Sequence, residues 1–275
     1  MALSILTKML EILQYPFMQR ALLAGLLTGA TLALLGIFVV LRKSSFFGDA
    51  VAHFSFAGIA LGFLLGVNPI LAAITVSVVL ALGIGYIQNR ASRQSLDAVI
   101  GIFFSGAAAV GIFIIGLLRG YRPDLFQFLF GDIIAISTQD VWVALVVSVV
   151  AIAALFLLWK PLFKITFNRE IAQVSGVRLA AYDYLFLGLL ALVTAMSIKI
   201  VGIILVPALL VIPAATAKNI SKNFHQMVAY SVFFGALSVV VGLIGSFYLN
   251  TASGATIVLT NILFFIFTMI GRQKN

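Results

Sequence analysis

Asp49 and His53 stand four residues apart in an otherwise apolar stretch, Gly48-Asp49-Ala50-Val51-Ala52-His53. On an α-helix this spacing puts both side chains on one face, about 5–6 Å apart. A carboxylate oxygen and an imidazole nitrogen converging on one point make half of a tetrahedral site for a borderline divalent ion. A charged carboxylate at membrane depth costs roughly 2.5–3.5 kcal/mol even on the lenient insertion scale, so something must offset it. Two plainer readings stand beside the ligand pair. Asp49 follows Arg42 and Lys43 closely enough to be an interfacial residue reached by water, and His53 could be a core histidine donating to a backbone carbonyl. If His53 does ligate, it must be neutral, and the activity should weaken as pH falls through its pKa.

Three other patterns carry physical meaning. Gly58, Gly62 and Gly66 form a small-residue stripe that lets a neighbouring helix approach closely, a spacing common in membrane helices. Pro207 and Pro213 fall in one apolar segment, where each removes a backbone donor and kinks a helix. Such broken helices border transport paths or simply pack as kinks. Between two apolar runs, Asn168-Arg169-Glu170-Ile171-Ala172-Gln173-Val174-Ser175-Gly176 reads as a short amphipathic helix closed by Gly176. It is either a solvated connector or a docking helix for a cytoplasmic partner. There is no Gly-x-x-x-x-Gly-Lys-Ser/Thr loop, no Gly-x-Ser-x-Gly elbow and no His-Glu-x-x-His helix. The chain is therefore read as a non-enzyme that does not itself hydrolyse ATP.

The elements that must position these residues follow from composition. Of 275 residues, 63% are hydrophobic and 9% charged, with a mean hydropathy of +1.21. Soluble domains carry about 25% charged residues, so this is an integral membrane protein. Zero cysteines exclude disulfides, thiolate metal clusters and thiol nucleophiles. The net charge of +9 lies in short clusters between apolar runs, which points to membrane topology and not to nucleic acid.

A spanning helix needs about 20 apolar residues. The expected fold is an all-α polytopic bundle of about eight or nine spans, near 17–41, 46–66, 69–88, 97–118, 139–159, 181–198, 200–217, 226–249 and 254–271. Residues 1–16 read as an amphipathic interfacial segment and not a cleaved signal peptide, 17–271 as one transmembrane domain, and 272–275 as a cytoplasmic tail. Twelve of the 17 Lys and Arg residues fall in one set of loops, which places that set in the cytoplasm, the C-terminus inside and the N-terminus outside. Residues 119–138 form an outside loop whose aromatics are expected to rest on the membrane surface. Asp124, Asp132 and Asp140 face the outside, with or without a partner.

At these residues the sequence resembles the permeases of zinc/manganese/iron ABC importers, over nearly the whole chain. The resemblance is carried by Gly48 to His53 with Gly58, by Ser197 to Gly202 through Ile212 to Ala217, and by Gly245 to Tyr248 with Ser253 to Leu259. Leu129-Phe130-Gly131-Asp132-Ile133-Ile134-Ala135 is most similar to the zinc branch. Asn250 departs from the pattern, where many relatives would carry an aspartate. The resemblance implies a homodimer in the bacterial plasma (inner) membrane that takes metal from an extracytoplasmic binding protein and is powered by cytoplasmic ATP-binding subunits. Asp49 and His53 would be the pore ligands, and Asn168 to Gly176 the coupling helix. No cofactor is expected to stay bound; zinc, or manganese or iron, is substrate. The competing classes are a membrane-embedded metal-dependent hydrolase, which lacks a third ligand and a general base, and a scaffold without transport.

Overall fold

The computed structural model describes residues 14–90, 96–118, 128–129, 131 and 136–272, and these contain helices and no strand. Ten helices follow in chain order: α1 (Pro16–Leu41), α2 (Phe46–Leu65), α3 (Pro69–Arg90), α4 (Leu96–Leu117), α5 (Thr138–Phe167), α6 (Arg169–Val174), α7 (Leu179–Val201), α8 (Leu205–Ile220), α9 (Phe224–Leu249) and α10 (Ser253–Arg272). Eight are long and apolar enough to cross a membrane. The interfacial segment expected at 1–16 lies outside the described residues up to position 13, and Pro16 already belongs to α1, at the first helical position where its missing N–H costs nothing.

Two boundaries differ from the sequence reading. The seventh segment starts at Leu205 instead of 200, because α7 runs on to Val201 and ends at Gly202, whose φ of 90° only glycine adopts freely. The resulting α8 has 16 residues, about 24 Å of helix, short of the roughly 30 Å hydrocarbon core. The fifth span ends not near 159 but at Phe167, straight through Pro161. Aromatic packing holds that extension. Trp159 and Phe163 meet Phe224 of α9 at ring-centroid distances of 5.4 and 4.9 Å, and Phe38 of α1 meets Trp159 at 5.4 Å.

The helices α1, α2 and α7 form the inside of the bundle. In α1 and α2, 67% of the most apolar stretch is buried, against 22% in α5 and α10. Helix α2 packs on α3 and α4, while α1 packs on α5, α8 and α9. Because lipid is as apolar as leucine, close contact and polar contacts decide this packing. A Cβ at Gly36 of α1 would fall 1.6 Å from the Leu210 carbonyl oxygen of α8, so the two backbones touch there. Ser55 and Ser77 share a 2.6 Å hydrogen bond between α2 and α3, and Ser231 of α9 donates to the Ala33 carbonyl of α1 at 2.8 Å.

Candidate metal path and coupling surface

Helix α2 starts at Phe46, which places Asp49 in its first turn and His53 one turn further. From Phe47 to Ala60 every residue of α2 is buried except Asp49 and His53. With Phe46, which is 67% exposed, these two form the open stripe of an otherwise enclosed helix. They line a cavity of about 440 Å³ whose far wall is Ile100, Gly101, Phe104 and Ser105 of α4. The His53 ring stands edge-on to Phe104 at 4.4 Å. Its Nδ1 is buried and makes no hydrogen bond within the chain, so the reading of a core histidine donating through that atom has no partner here. Among the described residues no three His, Cys, Asp or Glu side chains gather together, so they supply this pair and no third such group.

The glycine stripe divides into two roles. A Cβ at Gly58 would lie 2.6 Å from the Ala73 Cα, and one at Gly62 would lie 2.7 Å from the Pro69 Cα. These two glycines set the α2–α3 contact. Gly66 does not pack: nothing approaches within 4 Å, and its φ of 67° makes it the left-handed cap of α2. The prolines also separate. Pro213 sits inside α8, but Pro207 falls in its first turn, where no i−4 hydrogen bond exists to lose. The expected kink at Pro207 is thereby corrected.

Helix α6 forms within the stretch Asn168 to Gly176, where a short amphipathic helix was expected. Asn168 caps it by accepting from the Ile171 N–H at 3.0 Å, and Gly176, with φ 78°, closes it as the Val177 N–H donates to the Ala172 carbonyl. Ala172 is buried; Arg169, Glu170, Ile171, Gln173, Val174, Ser175 and Gly176 are exposed, Val174 by 90%. Arg169 reaches back to Asp183 of α7 at 2.9 Å, and the other Asp183 oxygen binds Arg42 at 2.9 Å. Arg42 also donates through Nε to Thr166 Oγ1 at 3.0 Å and lies 4.9 Å over the Phe186 ring. Burial pulls its pKa below the ordinary guanidinium value, with Asp183 opposing that pull. Neither Asp183 nor Arg42 stood out in the sequence as a functional residue. The available signal was a lone carboxylate, Asp183, in the opening turns of an apolar helix flanked by basic loops.

On the outside, Asp140 is not a free surface carboxylate. It forms a reciprocal cap with Ser137 at the start of α5 and pairs with Lys199 of α7 at 2.5 Å. Asp124 and Asp132 lie outside the described residues, as do Phe130 and 132–135 of the segment that resembled the zinc branch. The backbone carbonyls of Phe128 and Leu129 accept from the Ile203 and Ile204 N–H groups at the α7–α8 break. Asn250 closes α9 with φ 50°, a left-handed cap that asparagine tolerates well.

Residues 14–272 match the ABC 3 transport family. The chain is 36% identical over 256 residues to the manganese transport system membrane protein MntC of Listeria monocytogenes, covering 93% of this chain and 91% of that one. It is 34% identical over 254 residues to the high-affinity zinc uptake system membrane protein ZnuB of Haemophilus influenzae, covering 92% and 97%. Among solved structures, PsaBC from Streptococcus pneumoniae in complex with Fab matches with a TM-score of 0.85 and 33% identity, over 96% of this chain and 95% of that chain. Eight helices long and apolar enough to cross a membrane, a short capped helix between α5 and α7, and this full-length likeness carry one conclusion: the chain belongs to the ABC 3 transport family, as a multi-pass permease of the bacterial plasma membrane and not an enzyme.

Proposed function

We propose that this permease carries zinc inward across the membrane as part of an ATP-driven importer. The observation that carries the reading is the open stripe of α2, where Asp49 and His53 face a cavity while every neighbour is packed away. Two copies meeting on a two-fold axis would bring two carboxylates and two imidazoles together, the four nitrogen and oxygen donors a tetrahedral zinc ion takes. The absence of cysteine leaves no thiolate to hold the ion too tightly for release.

Metal arrives from an extracytoplasmic binding protein, and cytoplasmic ATP-binding subunits dock on Asn168 to Gly176, where Ile171 and Val174 offer apolar side chains 63% and 90% exposed. ATP-driven closure shifts α2 and the short α8, whose interior Pro213 has no N–H to bond the preceding turn, which makes the helix easier to bend. A manganese cargo is the second reading, favoured by relatives named for manganese transport.

The test is metal accumulation in a zinc-import-deficient host expressing this chain with its ATPase and binding protein. Zinc-selective uptake, lost in Asp49→Asn and His53→Ala while the complex still assembles, is the expected result. Manganese uptake lost in the same variants would keep the site and change the cargo. Wild-type uptake in Asp49→Asn would remove the pair from the path.

A further inference from the structure

The carboxylate of Asp183 joins three helices that the chain does not otherwise connect at this point. Its Oδ2 binds Arg169, the first residue of α6, and its Oδ1 binds Arg42, the residue that ends α1. Only 10% of the Asp183 side chain and 15% of the Arg42 side chain are exposed, so this pair sits away from water, where charge-assisted hydrogen bonds are short and stiff. Arg42 is itself pinned by Thr166 of α5 and by the Phe186 ring. Helix α6, in contrast, has Ala172 as its one buried residue, so the Arg169–Asp183 bond is a main tie between it and the bundle.

The link from Arg42 to the metal site is short. Three residues separate Arg42 from Phe46, where α2 begins, and that link is tightly bonded: the Ser44 N–H donates to the Val39 carbonyl and the Phe47 N–H to the Ser44 carbonyl. Lys43 holds a left-handed φ of 55°, which keeps the turn compact. A displacement at Arg42 is thus passed to the first turn of α2, which carries Asp49.

We propose that Asp183 is a positioning residue of the transport cycle, the joint through which the coupling helix α6 moves Arg42 and with it the Asp49 end of α2. The proposal rests on the docking of ATPase subunits on α6 argued above. Movement of α6 is carried by Arg169 to Asp183, and from Asp183 along two routes. One runs through Arg42 into α2; the other runs up α7, whose far end is clamped to α5 by Lys199 and Asp140 before the break at Gly202.

The experiment uses the permease assembled with its ATPase and binding protein in proteoliposomes, reading ATP hydrolysis and zinc or manganese uptake together. Arg169 is half exposed, so Arg169→Gln cuts the tie without burying an unpaired charge. The expected result is uptake per ATP hydrolysed lowered about tenfold, a typical coupling magnitude, with an unchanged melting temperature. Arg169→Lys, which keeps the charge, restores most of the uptake. Asp183→Asn, which also loses Arg42, uncouples at least as strongly, and the double variant is no worse than Asp183→Asn alone. Additive losses in the double variant would place the effect of Arg169 on the ATPase surface and overturn the joint, as would wild-type stoichiometry in Arg169→Gln.

A readout that needs no metal separates this from the cargo reading. The chain has no cysteine, so spin labels at Ser45→Cys and Leu263→Cys, diluted with unlabelled permease so that one copy of a pair is labelled, report α2 against α10. Their distance should change when a non-hydrolysable ATP analogue is added, and the change should vanish in Arg169→Gln. A wild-type complex that shows this change but carries no metal would overturn the cargo reading and leave the joint standing. A change that persists in Arg169→Gln would overturn the joint.

Discussion

Two ion pairs, one on each side of the membrane, differ in what their loss should cost. The Arg42–Asp183 pair is largely dehydrated. Arg42→Ala leaves Asp183 with only the half-exposed Arg169, and removing one partner of a buried pair costs about 3–5 kcal/mol. The Lys199–Asp140 pair has a lysine that is 45% exposed, and Asp140 keeps its bonds to Ser137. Lys199→Ala should therefore cost about 1 kcal/mol or less. Thermal unfolding of the detergent-solubilised permease should rank the two variants in that order, and equal losses would contradict the burial argument. Asp49 belongs to a third situation. It faces a cavity, so Asp49→Asn should leave stability near the wild-type value while removing uptake.

Helix contacts turn on single methyl groups. Gly58→Ala and Gly62→Ala push a Cβ to within 2.6–2.7 Å of the α3 backbone, which cannot move aside as a flexible side chain would. Each should destabilise by about 1–3 kcal/mol. Gly83→Ala on α3 meets nothing within 4 Å and should be neutral or stabilising by up to about 1 kcal/mol. Melting temperatures of the three variants check this directly. In α8, Pro213→Ala restores the N–H that the Leu209 carbonyl lacks, so it should stiffen the helix and slow uptake, while Pro207→Ala should do neither. Transport assays on the two variants separate a bending element from a helix start.

The single chain leaves the Asp49–His53 pair open on one side, and the proposed site is completed by a second copy. Ser105 lies on the exposed face of α4 beside the Asp49–His53 cavity. A Ser105→Cys variant carries the one thiol in the protein, so oxidation should link two copies covalently. Phe156→Cys, 79% exposed on the outward face of α5, should remain unlinked. Linkage through Phe156→Cys but not Ser105→Cys would place the interface elsewhere and leave the pair without its four donors.

Hydropathy alone determined that this chain crosses a membrane many times, and spacing alone that Asp49 and His53 share a helix face. These features are local: they depend on runs of about 20 residues and on a 3.6-residue period. The short helix α6 was legible for the same reason, since Asn168 and Gly176 are its own start and stop signals. Only the tertiary structure decided that Gly66 is a cap and not a contact, that α5 continues through Pro161, and that Pro207 begins α8. Each depends on what packs alongside or on where the preceding helix stops. The Arg42–Asp183–Arg169 joint was illegible for the plainest reason. Its three residues are separated by up to 141 positions, and no local period connects them.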